Sequence, residues 1–437
     1  MYKKNINDRA AEMNKSEKKT DHLKIAFIMH PWTGITEAGA IGIITAQLAK
    51  RFCKENTVLI FSGRFSKKHK FIKGDNISYK EVPIKIDRQL VRVFNYLDKT
   101  EKFHNPRRPF FVSPLFYLEY AIKAGMQLKR EKCDIIHIHS MSQFVPIIKR
   151  LNPKAKIVLH MHADWLTMVD HRLNDKRLPL ADLILSCSDY MTQKITSQFP
   201  AHSHKCKTLF NGVDVQAFNG IRKNGLNENS SKKKVLFVGR LSPEKGIHIL
   251  IESFKKILTD VPEAELHLVG PKNPLPPQYI VTLSEEEKVH ELHKFYNGQN
   301  YISYLEKLVP ASLKDKIIFH DAVSREKIID YYLEADVLIN PSYYETFGMS
   351  LVEAMSLQVP VIASKVGGMT EVVGDSESGF LVESGNVDEL AQAMTTLLKD
   401  KELNIKMGLN GRKRAEELFS WDKIASDLQK EYVKLYN

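Results

Sequence analysis

The side chains best equipped for chemistry lie in two short stretches of the second half of the chain. In VLFVGRLSPEKG, Gly239 ends an apolar run and lets the backbone turn sharply. Arg240 and Lys245 then project from that turn and from the entrance of the helix that follows, near Gly246. Two cations beside a helix N-terminus suit two adjacent phosphate groups and the charge they carry as a leaving group. A βα turn bearing solvated charges would read the same way, and no G-x-x-x-x-G-K-[ST] pattern is present. In PSYYETFGMSLVEAMS, Glu345 and Glu353 stand eight positions apart. Gly348 marks a helix entrance between them, which places Glu345 in the preceding loop and Glu353 on the helix, so the two would meet different parts of a ligand. Carboxylates accept well from sugar hydroxyls, and the backbone N–H groups of Thr346, Phe347 and Gly348 are expected to point at the ligand. An ordinary pair of helix charges is the alternative.

The first half offers histidines instead. His137 and His139 fall in CDIIHIHS, and His160 and His162 in AKIVLHMH. Each run reads as a short buried strand ending in polar residues, as do LKIAFIMH at 23–30, NTVLIFS at 56–62 and ADLILSCS at 181–188. With helical stretches between them, such as AIGIITAQLAKRF at 40–52, they form βα repeats around a parallel sheet. Parallel sheets keep their working residues just beyond the strand C-termini, so Gly34, Gly39, His139, His162 and Ser188 are expected on one edge. His137 and His160 read as structural.

The pattern restarts after the Asn/Gly/Ser-rich stretch FNGIRKNGLNENSSKK, with strands expected at 233–240, 264–271, 315–322, 335–342 and 359–364 and a helix at 246–258. An enlarged connection over 271–314 should hold helical segments. The domain reading is a polar tail at 1–22, a first βα domain at 23–217, a linker at 218–232 and a second βα domain at 233–417. A C-terminal helix at 418–437 is expected to cross back to the first domain. A length of 437 residues agrees with two hydrophobic cores.

Charge divides the halves more sharply than the fold does. Residues 1–232 hold 40 Lys+Arg against 21 Asp+Glu, whereas 233–437 hold 24 against 31, so a net +19 joins a net −7 to give the whole-chain +12. The excess gathers in Arg64, Lys67, Lys68, Lys70, Lys73, Arg88, Arg92, Lys99, Lys102, Arg107 and Arg108, interleaved with Phe94, Tyr96, Phe103, Phe110 and Phe111. Such a surface can meet anionic lipid headgroups; a solubilising face around core aromatics is the other reading. Nucleic acid is set aside, since no recognition helix, zinc finger or RNA-binding aromatic pattern accompanies the charge. Cys53, Cys133, Cys187 and Cys206 form no C-x-x-C pair, the first 22 residues carry no apolar signal segment, and no apolar run is long enough to span a bilayer. A cytoplasmic setting is expected, at the inner face of the membrane if the basic half attaches there. The oligomeric state is left open.

Taken in order, GRLSPEKG, Glu345-x7-Glu353, VPVIASKVGGMTEVV and ESGFLVESGNVDELA, with FNGVD at 210–214 and FSWDKIA at 419–425, resemble the retaining, nucleotide-sugar-dependent glycosyltransferases called family 4. The resemblance covers roughly 23–437. It implies the GT-B arrangement, an α/β fold of two Rossmann-like domains with parallel sheets facing a central cleft. By the same resemblance Arg240 and Lys245 bind the donor diphosphate, Glu345 engages donor-sugar hydroxyls and Glu353 binds the ribose. Gly239 and the backbone of Thr346, Phe347, Gly348 and Met349 surround the donor, His162 stands near the transferred sugar, and His139 could line the acceptor side. Gly39 matches the family's N-terminal phosphate loop, where Gly-Gly is common; here Ala40 follows it, ahead of Leu48-Ala49.

The expected reaction is transfer of a sugar from a UDP-, GDP- or ADP-sugar to a hydroxyl of a lipid, polysaccharide precursor or glycoside, by a hexosyltransferase-type enzyme without a cofactor. No metal is called for, and the sequence has no D-x-D. A nucleotide-sugar epimerase on the same double fold, or a non-catalytic protein binding nucleotide-sugar or carbohydrate, are the alternatives. A dehydrogenase fits poorly, because no G-x-G-x-x-G follows the first strand.

Overall fold

The computed structural model describes residues 22–33, 39–64, 74–97, 105–218, 232–296 and 300–436. Most of the expected tail, residues 219–231 of the expected linker, Gly34, and Lys67, Lys68, Lys70, Lys73, Lys99, Lys102 and Phe103 lie outside these residues. The chain divides into two compact units, one of residues 1–187, 192–209 and 424–437, the other of residues 188–191 and 210–423.

The first unit is built on β1 (Lys24–Ile28), β2 (Thr57–Gly63), β3 (Ile77–Val82), β4 (Ile135–His139), β5 (Lys156–Met161), β6 (Leu183–Ser186) and β7 (Cys206–Thr208). All pair in parallel, in the order β3-β2-β1-β4-β5-β6-β7. Strands covered on both faces are mainly apolar, and Ile25, Ala26, Phe27, Ile28, Ile135, Ile136, Ile157, Val158 and Leu159 are all fully buried. The second unit repeats the design with β8 (Lys233–Val238), β9 (Ala264–Val269), β10 (Ile317–His320), β11 (Val337–Asn340), β12 (Val361–Ser364) and β13 (Gly379–Val382), ordered β10-β9-β8-β11-β12-β13. Both sheets reverse their winding once, at β1/β4 and at β8/β11. In open parallel sheets a ligand crevice forms beyond the strand C-termini at that reversal.

Apart from residues 188–191, the second unit starts at Phe210, whereas the sequence reading ends the first domain at 217. The reason is a backbone pairing within that unit: Val213 N–H donates to Phe419 O (2.7 Å) and Trp421 N–H to Val213 O (3.2 Å). At the other end, residues 424–437 belong to the first unit. There Tyr432 is fully buried and its hydroxyl lies 2.6 Å from Nδ1 of His137, while Tyr436 Oη donates to Asp134 O (2.7 Å). The 271–314 connection carries the helix Tyr301–Leu308 and shorter turns at Pro277–Tyr279, Glu287–His290, Glu291–Phe295 and Ala311–Leu313.

Candidate active site

In the second unit the loops after β8 and β11 converge. Gly246 opens the helix Ile247–Ile257 with φ of +67°, a left-handed turn that favours glycine. Its backbone also lies against Pro341 O, where a Cβ would come within 2.1 Å. That approach, with Tyr343 N–H donating to Glu244 O (2.8 Å), seats the loop holding Lys245 against the loop holding Glu345. The result is an ion pair, Lys245 Nζ to Glu345 Oε2 at 2.7 Å. Burial by itself would favour the neutral amine, but Glu345 and Glu244 outweigh it and hold the ammonium above its ordinary pKa. Burial would likewise favour a neutral Glu345; Lys245 and the N–H groups of Phe347 and Thr346 reverse that and keep its carboxyl below the usual range. A fixed cation and a fixed anion therefore sit side by side at the winding reversal.

Those N–H groups correct one expectation. Thr346 and Phe347 donate to Oε1 of Glu345 at 3.1 and 3.3 Å, so this short stretch of backbone folds onto its own carboxylate instead of facing outward. The Phe347 ring is buried against Phe210 and Phe419. Gly348 is left-handed at φ +100° and starts the helix Met349–Ser356, which carries Glu353. Glu353 accepts from the buried Tyr332 hydroxyl at 2.8 Å. Burial raises its pKa, and Arg325 and Tyr332 offset that only in part. The two glutamates thus differ in the direction of their pKa shifts as well as in place. Arg240 is half-buried and donates to Asn273 O (2.8 Å), and Gly239 N–H donates to Val269 O (3.0 Å), closing the turn at the end of β8.

The first unit places its histidines on one sheet face. His139 and His160 are register partners, and His137 and His162 sit two positions away along their own strands. Two hydrogen-bonded chains result. In one, His137 Nδ1 meets Tyr432 Oη (2.6 Å) and its Nε2 meets His160 Nδ1 (3.1 Å). In the other, Thr45 Oγ1 meets His139 Nε2 (3.1 Å) and His139 Nδ1 meets His162 Nε2 (2.8 Å). The second chain has one consistent proton assignment. Thr45 has a single hydroxyl proton and gives it to Ile41 O (2.8 Å), so its oxygen must accept from His139 Nε2–H. A neutral His139 then accepts at Nδ1 from His162 Nε2–H. Burial, with neighbouring imidazoles, holds His139, His160 and His162 well below the ordinary histidine value, and burial alone brings His30 and His137 to about 3.

This burial corrects the second expectation. His139 is fully buried with both ring nitrogens engaged, so it does not line a ligand surface and can act only through His162. His162 follows the last residue of β5 and is partly exposed. Ligand atoms of His137, His139 and His160 lie within 4.8 Å of one another. A dication there would have three neutral imidazoles, no carboxylate in the group, and hydrogen bonds to break, an unfavourable exchange in a buried site. Gly39, at φ +81°, precedes the helix Ala40–Phe52 that carries Thr45.

Residues 43–217 match the family described as Glycosyltransferase Family 4, and residues 220–414 match the one described as Glycosyl transferases group 1. The fold is that of sucrose-phosphate synthase from Thermosynechococcus elongatus, with a TM-score of 0.70 at 20% identity over 95% of this chain and 99% of that one. The chain belongs to the glycosyltransferases of the GT-B fold. Spore coat protein SA of Bacillus subtilis (strain 168) is 27% identical over 413 residues, covering 91% of this glycosyltransferase and 95% of the relative. Anabaena Alr3699/HepE, solved in complex with UDP and glucose, has a TM-score of 0.64 at 19% identity, covering 94% and 99% of the two chains.

Several residues that shape this glycosyltransferase's site carry no strong signal in sequence. Glu244 is buried within the loop that carries Lys245 and accepts from Ser242 Oγ and Tyr296 Oη, the latter at 3.4 Å. Tyr296, together with Asn273 and Leu275, whose N–H donates to Ser242 Oγ (3.4 Å), gives the 271–314 connection a role: it buttresses that loop. Gly367 sits so close to Glu345 O that a Cβ would come within 1.9 Å, and its VGG run could have been read as a close backbone approach.

Proposed function

We propose that the chain transfers a sugar, with retention of anomeric configuration and without a metal, from a nucleoside diphosphate sugar to a hydroxyl acceptor. The observation that carries this reading is the Lys245–Glu345 pair at the winding reversal of the second unit, a cation and a carboxylate 2.7 Å apart beside Arg240. In this reading Arg240 and Lys245 hold the diphosphate, Glu345 orients sugar hydroxyls, Glu353 holds the ribose, and His162 meets the transferred sugar. The bond from the anomeric carbon to the phosphate oxygen breaks and the pair of electrons leaves with the diphosphate. The acceptor oxygen bonds the same carbon from the same face, and its proton passes to the departing phosphate. The cations stabilise the charge that develops on the leaving group, which is where fixed positive groups lower a barrier most. An orienting role for Glu345 is supported by the engagement of its carboxylate by Lys245 and two N–H groups.

A product-resolved screen of UDP-, GDP- and ADP-sugars against lipid and soluble hydroxyl acceptors tests this. Release of nucleoside diphosphate with a new α- or β-glycoside matching the donor anomer is the expected result, lost in Lys245→Met and Glu345→Gln. A new nucleotide-sugar without acceptor would mark an epimerase, and binding without turnover a non-catalytic protein; either overturns the proposal.

A further inference from the structure

The helix Lys85–Leu97 in the first unit presents apolar side chains where none are needed for the core. Ile86 is 58% exposed, Leu90 37%, Val93 53% and Tyr96 69%. Positions 86, 90 and 93 recur at the i, i+4, i+7 spacing of one helical stripe, so they form a continuous line along the outer face. The helix has its own inward face as well: Asp87 and Phe94 are buried, and Phe94 stacks on Phe110 with centroids 4.9 Å apart. Its orientation is fixed at the N-terminus by an exchange of carboxylates with the helix Leu118–Glu131. Asp87 accepts from Glu119 and Tyr120 N–H (3.0 and 2.8 Å), and Glu119 accepts from Ile86 and Asp87 N–H (2.9 and 3.4 Å). The outward apolar line is therefore set by the fold. Ile122 and Met126 on the second of these helices are exposed too.

The exposed charge on this helix has one sign. Lys85, Arg88 and Arg92 are exposed on the same helix, and its one acid, Asp87, is buried. We propose that this face of the first unit docks on an anionic lipid bilayer, with Ile86, Leu90, Val93 and Tyr96 entering the interface and Lys85, Arg88 and Arg92 meeting the headgroups. A second copy of the same face would bring three cations against three, and a nucleic-acid backbone would leave the apolar line in water. A bilayer surface satisfies both features at once, the apolar area by burial and the cations by the negative surface potential. The inference rests on the proposed sugar transfer only for its purpose, as the surface on which that enzyme works; the docking itself is read without donor or acceptor.

Sedimentation of the full chain with vesicles tests it. Vesicles with about 30% phosphatidylglycerol should bind about tenfold or more tightly than pure phosphatidylcholine, and added salt should weaken the binding. Leu90→Glu with Val93→Glu should lower binding about tenfold or more, and Lys85→Glu with Arg92→Glu several-fold, each with an unchanged unfolding midpoint and unchanged donor hydrolysis. Equal binding to neutral vesicles, wild-type binding by the L90E/V93E protein, or a concentration-dependent dimer that L90E/V93E abolishes in place of vesicle binding would each overturn the proposal. Loss of transfer with intact vesicle binding would count against the proposed reaction alone.

Discussion

The two units share a strand order around the reversal and differ in what they place beyond it. The second unit collects charges, with Lys245 held protonated, Glu345 held ionised and Arg240 alongside. The first collects imidazoles with depressed pKa values, His30 and the four chained to Thr45 and Tyr432. A burial penalty that the second unit offsets with opposite charge is met in the first by keeping the groups uncharged.

That contrast breaks first under acid. A histidine whose folded pKa is lowered binds more protons when unfolded, so its contribution is complete above about pH 6.5 and is lost as pH falls toward about 3, at about 1.4 kcal/mol per pH unit for each imidazole. With five such groups the first unit should lose stability progressively as pH falls below about 6.5. The second unit, where His248 is lowered to about 4 and burial also lowers His267 and His320, has fewer such groups and should outlast it. Amide exchange of β4 and β5 against β8 and β11 between pH 7 and about 4.5 reads the difference; parallel loss in both would erase the distinction.

Lys245→Met should lower turnover by about 10²- to 10³-fold with a smaller change in stability, because a fixed cation at the leaving group acts mainly in the transition state. Steady-state kinetics with a saturating acceptor would show it as a fall in kcat. Gly246→Ala should cost about 1 to 3 kcal/mol in urea unfolding and weaken donor binding, since the new Cβ meets Pro341 O in a left-handed turn. Smallest are the hydroxyl deletions. Tyr432→Phe and Thr45→Val should each cost about 1 kcal/mol. Thr45→Val should also shift the tautomer of His139, seen in imidazole ¹⁵N shifts, and Thr45→Ser should restore it; unchanged shifts would remove the proton assignment.

The interior strands and the charged site were legible because each leaves a local signature. β1, β4, β8 and β11 are interior strands that read as short, mainly apolar runs, and Arg240, Lys245, Glu345 and Glu353 fall in ordered motifs. The strands not singled out, β3, β7 and β13, are all at sheet edges, where a strand pairs on one side only and ISYKEV or CKT need not be continuously apolar. Glu244 and Tyr296 meet across 52 positions, and His137 meets Tyr432 across 295, so no local window contains either pair. For the same reason the burial of His139 was hidden: a histidine closing a strand reads alike whether it faces a ligand or a threonine.

The most direct test of the account is hydrogen exchange of the full chain with and without saturating UDP, GDP and ADP. One of these should protect 239–248 and 341–353 and leave 137–162 unchanged, as a diphosphate site confined to the charged edge requires. Protection that falls on 137–162 alone, or no protection with any nucleotide that binds, would contradict it.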